Sequence, residues 1–251
     1  MFSMLQAYTS NENSSLIFMM HSFSEKRHWC FLFDYYPKNL GQALVENTKC
    51  FHINLVQVLA RQLVEAVTML ANNSIVHTDI KPKHILLNST NDKLKLAGFD
   101  ESSYIQDLSL TPSSGTPNYR APEVILGFTT DGGVDVWSTA LVIYEMATGI
   151  KLFPGIFNND ILYKQMCTLG KISEDMILNS SRRYWYFSGT TFTRKFGEKG
   201  EKVQYINYFQ RSNRIVKSLF GAYKANWQPY ATKQEVYEDK IKIKSLEKLL
   251  E

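Results

Sequence analysis

The chain has 251 residues, 44% of them hydrophobic and 21% charged, with a formal net charge of +4, which excludes a disordered or low-complexity protein and allows a sizeable core in one or two domains. Three widely separated cysteines, Cys30, Cys50 and Cys167, exclude a disulfide framework and a cysteine-built metal centre, and point to a reducing compartment.

In chain order, FSMLQAY carries a short helical pattern and NENSS a loop. LIFMMHSF and HWCFLFDYY are apolar or alternating runs around the polar turn SEKR, a hairpin signature. The most apolar run, LIFMM from Leu16 to Met20, is only five residues, so no membrane-spanning helix is expected. The N-terminus has neither a basic region nor a cleavage site, and an intracellular protein of cytoplasm or nucleus, without membrane contact, is anticipated. KNLGQALVEN reads as a short helix and INLVQVLARQLVEAVTMLANN as a long one. Leu55, Leu59, Leu63, Val67 and Leu70 form its apolar stripe, Gln57, Arg61 and Glu65 face away, and Asn72-Asn73 is a plausible stop.

A second hairpin comes next, built from ILLN, the turn STND and KLKLAGF. Residues 101 to 114 are a Ser- and Thr-rich loop with two acidic residues. VDVWSTALVIYEMATG is apolar nearly all round, as a buried helix is, and residues 156 to 181 suggest another helix or two. Residues 182 to 234 show little periodicity and are expected to be irregular, whereas EVYEDKIKIKSLEKLLE reads as helical. From Arg182 onward, 15 Lys and Arg stand against 7 Asp and Glu. Basic residues interleaved with aromatics, as in RRYWYF, suit nucleic acid or an acidic partner. With no nucleic-acid-binding motif in the run, a solvated face is the preferred reading, and nucleic acid is not expected as a partner.

The stretch that organises the chemistry is IVHTDIKPKHILLN, Ile75 to Asn88. Apolar pairs enclose His77, Asp79, Lys81, Pro82 and His84, the pattern of a tight loop held at both ends by buried hydrophobics with its carboxylate and amine aimed into a cleft. Alone, H-x-D-x-K is an incidental match on most surfaces. Its weight comes from the order of the motifs downstream of it: KLAGFDES (95 to 102), GTPNYRAPE (115 to 123), DVWS (135 to 138) with Glu145, and LFPG (152 to 155). Together these resemble the C-terminal lobe of a eukaryotic protein kinase, with HTDIKPKH as its catalytic loop, GFD at the D-F-G position and Ala121-Pro122-Glu123 closing the activation segment. YRAPE, LFPG and the long basic insert most resemble the homeodomain-interacting, dual-specificity tyrosine-regulated and pre-mRNA-processing kinases.

The resemblance implies an α+β fold: a mostly helical C-terminal lobe with an incomplete small β lobe. Residues 1 to 36 would be the partial small lobe, 37 to 181 the C-terminal lobe, and 182 to 251 a basic insert and terminal helix. It implies ATP and Mg²⁺ as cofactors and a protein as substrate or partner. By the same resemblance, Asp79 accepts the substrate hydroxyl proton, Lys81 neutralises the γ-phosphate, and Thr116 braces both while marking a Ser/Thr-type substrate loop. Arg120 orders the activation segment, in which Ser109 to Ser114 are candidate phosphorylation sites, and Asp135 bonds the catalytic-loop backbone. Phe33 becomes the gatekeeper, Asp34 to Tyr36 the hinge that meets adenine, Leu86 the floor beneath it, and Met19 or Met20 a contact under the small-lobe helix.

Departures fall on the nucleotide side. Gly98 stands at the chelating aspartate, His84 at the chelating asparagine and Thr78 at an arginine; the first glycine is Gly41, and no Lys or Arg precedes Lys26. Mg²⁺ takes oxygen ligands, so no metal ligand is assigned. Asp100, two residues late, is about 6 to 7 Å out of place, and using it would pull Phe99 from an apolar seat beside His77. Three readings remain: a pseudokinase acting by protein binding, an active Ser/Thr kinase seen as a truncated chain, or a degenerate fragment with no steady function.

Overall fold

The computed structural model describes residues 14–47, 50–128, 131–196, 202–206 and 227–228. The helices expected in FSMLQAY and EVYEDKIKIKSLEKLLE lie outside them. The chain forms two compact units, Met1–Leu108 with Val142–Ile150, and Ser109–Leu141 with Lys151–Glu251. The elements are helices and small sheets of the α+β class.

The first unit opens with the hairpin β1 (Met19–Glu25) and β2 (His28–Phe33), paired antiparallel from Glu25↔His28 to Met19↔Phe33, with a bulge between Met19 and His21. Lys26 and Arg27 take φ 47° and 67°, the left-handed pair that a two-residue hairpin turn requires. The strand starts three residues later than LIFMM suggests. Leu16 and Ile17 are both buried, so the run does not alternate there; Leu16 instead bridges Leu96, with Ile17 N–H donating to Leu96 O at 2.9 Å. β3 (Lys38–Asn39) leads into α1 (Leu40–Glu46), whose cap Asn39 accepts from Gln42 N–H at 3.0 Å while Gln42 Oε1 accepts from Asn39 N–H at 2.9 Å.

α2 (Ile53–Asn72) ends at the cap Asn73, as the Asn pair indicates. Its buried stripe is Val56, Leu59, Leu63, Ala66, Val67 and Leu70, so Val56 replaces the expected Leu55, which is only half-buried. At 100° per residue, eight residues back from Leu63 points about 80° off the stripe and seven only about 20°. By length and composition α2 could cross a membrane, which corrects the expectation that no run is long enough. Its one-sided burial, with Arg61 and Glu65 exposed on the other face, is the pattern of a core helix. Gln62 reaches off α2 to the second hairpin, donating to Asp92 O at 2.8 Å and accepting from Leu94 N–H at 2.9 Å. After β4 (Ile75–Val76), that hairpin consists of β5 (Ile85–Leu87) and β6 (Leu94–Leu96), and β5 pairs β3 on its other edge. β7 (Ser103–Tyr104) pairs β4, so the two ends of the catalytic-loop region are tied to neighbouring strands.

In the second unit α3 (Pro122–Leu126) starts on proline and stops at Gly127, whose φ of 75° is the left-handed C-cap that glycine adopts without cost. α4 (Gly133–Thr148) contributes its first nine residues here and Val142–Thr148 to the first unit. Trp137 is fully buried and stacks on Phe153 of the LFPG motif at 5.9 Å, while Ser138 Oγ donates to Tyr119 O at 2.9 Å. Among the described residues there follow α5 (Asn158–Leu169), the short strand β8 (Lys171–Ile172), α6 (Glu174–Asn179) and α7 (Arg183–Tyr186).

Residues 187 to 196 and 202 to 206 are not irregular as expected. β9 (Phe187–Ser188), β10 (Thr191–Phe196) and β11 (Lys202–Ile206) form an antiparallel sheet in the order β11-β10-β9. It is held by the buried rings of Phe192, Phe187 and Tyr163, and by Asn159, which accepts from Lys195 N–H at 2.7 Å and donates to Thr193 O at 2.9 Å. Apart from the half-buried Ile206, its other described side chains are charged, hydroxylated or exposed, so no alternation announces the strands. Among the described basic residues, Arg182 lies over Trp185 at 4.6 Å and Arg194 over Tyr163 at 3.6 Å.

Candidate functional site

Within the first unit, Asp79, Lys81, His84 and Gly98 come together around the loop from β4 to β5, and His77 is its post. The ring is fully buried, with Nε2 donating to Ala97 O at 2.9 Å, Nδ1 accepting from Asp79 N–H at 3.3 Å and Phe99 4.8 Å away. Burial pushes its pKa down to about 4, so it is a neutral structural group at pH 7. Phe99 is buried in the seat expected of it, and Asp100 is exposed. Ser102 Oγ donates to His77 O at 3.2 Å and Thr78 Oγ1 to Glu101 O at 3.0 Å, stitching the loop to the segment after β6. Thr78 holds φ at 70°, a strained value for a β-branched residue.

Asp79 is 6% exposed and ion-pairs through Oδ2 with Lys81 Nζ. On its other side stands His84: Nδ1 donates to Asp79 O at 3.0 Å and lies 3.5 Å from Asp79 Oδ2. Burial first, then the Lys81 ammonium, lowers the His84 pKa, so the imidazole is uncharged at neutral pH. Its backbone is fixed as well, with His84 N–H donating to Lys81 O at 2.9 Å and Ala97 N–H to His84 O at 2.8 Å. Gly98 lies beneath the ring with φ 80°; a Cβ built there would be 2.5 Å from His84 Cγ and Nδ1.

The arrangement is a buried carboxylate paired with a lysine two residues on and braced by a buried histidine. The sequence pattern of the protein kinase domain matches residues 3–197. The chain belongs to the protein kinase family. Among its relatives, this kinase domain is 35% identical over 174 residues to the serine/threonine-protein kinase prpf4B of Dictyostelium discoideum, covering 68% of the chain and 22% of that protein. It is 33% identical over 178 residues to the serine/threonine-protein kinase prp4 of Schizosaccharomyces pombe, covering 70% and 37%. To the probable serine/threonine-protein kinase dyrk2 of Dictyostelium discoideum it is 31% identical over 185 residues, covering 73% and 20%. These are the pre-mRNA-processing and dual-specificity tyrosine-regulated groups that the motifs indicate. The chain spans between a fifth and two fifths of these relatives' lengths.

On the expected adenine side of the kinase domain, Phe33 ends β2 half-buried, Asp34 is exposed, and Tyr36 is half-buried with its hydroxyl pKa raised by burial and by the Asp34 charge. Leu86 is half-buried in β5, in register with Asn39 and Lys95. Met19 is 3% exposed and Met20 is 50% exposed, so of that pair Met19 is the inward one.

Thr116 belongs to the second unit, half-buried, its carbonyl accepting from Tyr119 N–H at 3.0 Å. Four residues on, Arg120 organises the segment before it: Nε donates to Ser114 O at 2.8 Å, Nη2 to Ser113 O at 2.9 Å and to Gly115 O at 2.6 Å, and Nη1 to Asn158 Oδ1 at 2.5 Å. Asn158 also donates to Pro112 O at 2.7 Å, and Gln165 Nε2 to Arg120 O at 2.9 Å. Arg120 thus gathers the activation segment through main-chain carbonyls. Sequence reasoning named Arg120 but missed Asn158, Gln165 and Ser102, because a side chain bonding to a distant carbonyl leaves no periodic trace.

Proposed function

We propose that this is a protein kinase domain of the Ser/Thr type that has lost efficient phosphate transfer and acts by binding a protein through its retained substrate-facing side. The observation that carries the reading is the imidazole of His84 seated against Gly98. Mg²⁺ takes near-octahedral oxygen coordination. The two positions assigned to its ligands present an imidazole, whose Nδ1 is committed to the Asp79 carbonyl, and a hydrogen atom. Among the described residues no three His, Cys, Asp or Glu side chains cluster to hold a metal elsewhere. The residues present do not fit the Mg²⁺ of a kinase, and no step is routed through it. Losing one preorganised charged contact costs on the order of 100-fold in rate, and here both ligand positions are altered.

The substrate side supports the other half of the proposal. On this reading Asp79, with Lys81 beside it, takes the role of accepting a proton from a serine or threonine hydroxyl, and Thr116 and the Arg120-held segment that of meeting the substrate peptide. Three cysteines outside any disulfide suit a reducing, intracellular setting of cytoplasm or nucleus. The intact Asp79–Lys81 pair favours one alternative, an active Ser/Thr kinase using ATP, and a single assay separates the two. Phosphate transfer from Mg²⁺-ATP or Mn²⁺-ATP to a basic serine peptide is measured for the chain and for Asp79→Asn. The proposal expects both at background; transfer that Asp79→Asn abolishes refutes it.

A further inference from the structure

The contact between residues 84 and 98 says more than that two ligands are missing. A Cβ on Gly98 would meet three atoms of the His84 ring, Cγ and Nδ1 at 2.5 Å and Cδ2 at 2.8 Å, all closer than non-bonded carbons approach. A side chain at 98 therefore requires the imidazole to leave. The imidazole does not swing aside without loss: its Nδ1 bonds the Asp79 carbonyl at 3.0 Å, and its backbone is bonded on both sides, to Lys81 O at 2.9 Å and from Ala97 N–H at 2.8 Å. Ala97 in turn accepts from the buried His77 at 2.9 Å, so ring, loop and strand end form one chain of bonds.

We infer that His84 and Gly98 are a single interlocked unit, in which the imidazole plugs the place of a residue-98 side chain, and that this plug keeps a divalent cation from the loop beside Asp79. An oxygen ligand introduced at 98 alone meets the ring. One introduced at 84 alone removes the plug and faces a glycine that offers no second ligand. Recovery of a metal requires both changes together. The inference rests on the proposed assignment of these positions to the metal side; the steric half of it does not.

Two sets of variants test it. The first is a cycle of Gly98→Ala, His84→Ala and the double variant, each unfolded in urea. The left-handed φ of 80° penalises alanine in both backgrounds and cancels, leaving the contact with the ring. The unfolding equilibrium constant is expected to rise at least about tenfold more on Gly98→Ala when His84 is present than when it is absent; equal effects in the two backgrounds overturn the plug. The second set is Gly98→Asp, His84→Asn and the two combined, scored by thermal shift with ATP in EDTA and in Mg²⁺. Only the combined variant is expected to gain a metal-dependent rise in Tm. A single variant responding as strongly, or a combined variant that folds and stays silent, removes metal exclusion from this pair. Failure of the wild-type transfer assay to stay at background would refute the proposed function while leaving the unfolding cycle unaffected.

Discussion

Acid should unfold this protein partly through one residue. The His77 ring is fully buried, holds the Ala97 carbonyl with Nε2 and accepts the Asp79 amide on Nδ1, and its pKa is lowered from 6.5 to about 4. Protonation would place a charge in an apolar seat against Phe99 and convert Nδ1 from acceptor to donor opposite an N–H. Between pH 6.5 and about 4 the unfolded chain binds more protons at this site than the folded one, so His77 costs no stability above that window and a growing amount as pH falls through it. From pH 7.5 to 4.5 the integrated loss is about 2.5 kcal/mol, a large share of a typical total of about 5 to 15 kcal/mol. His84, shifted in the same direction, adds to the wild-type slope, so the measurement is a difference. Urea unfolding of wild type and His77→Phe at the two pH values should show wild type losing about 2.5 kcal/mol more than the variant. Equal losses would mean that His77 titrates freely and is not the neutral post of the loop.

Three further perturbations probe other joints. Arg120→Lys keeps the charge but cannot fork to three carbonyls and Asn158; it should cost about 2 to 4 kcal/mol, and limited proteolysis should cut within residues 109 to 115 at a protease dose that spares wild type. Phe192→Ala removes a fully buried ring of β10 and should cost about 3 to 5 kcal/mol, with faster hydrogen exchange concentrated in β9 to β11 and not in α2. Asn39→Ala opens the capping box of α1 and should cost about 1 kcal/mol by denaturation, without altering the pH slope that His77 sets.

Much of the fold was legible because its elements keep one period. The hairpins at 19–33 and 85–96, the helices α1, α2 and α4 and the Asn73 cap all arise from alternation, apolar stripes and turn residues. The misreadings have definite causes. Leu55 entered the α2 stripe because spacings of four look periodic although they drift from the 3.6-residue turn, and Val56 holds the inward place. The span-like character of α2 is masked in the sequence because Asn54, Gln57, Arg61, Gln62, Glu65 and Thr68 cut it into short apolar pieces. The β9–β11 sheet was invisible because its inward face is essentially Phe187 and Phe192, and the side chain that secures it, Asn159, lies 33 residues before Phe192 in the sequence. The site was legible as motifs and not as geometry: His84 and Gly98 each stand out as a substitution, but only coordinates show that one ring fills the other residue's space.

That geometry also explains how the loop keeps its shape with altered residues at two of its positions. The contacts that shape the loop run through His77 to Ala97, through Ser102 and Thr78 to carbonyls across the loop, and through Phe99 in its apolar seat. The side chain at 98 takes no part in them, and the one at 84 adds a bond to Asp79 O that reinforces the loop without defining it. Replacements there leave the catalytic loop's shape standing. A fully buried histidine that must stay neutral constrains folding, whereas under the proposed function positions 84 and 98 bear on the reaction. Once one of the two is a glycine, the neighbouring space is best used by a ring that packs into it. His84 and Gly98 are thus compatible with a loop that keeps Asp79 buried and paired with Lys81.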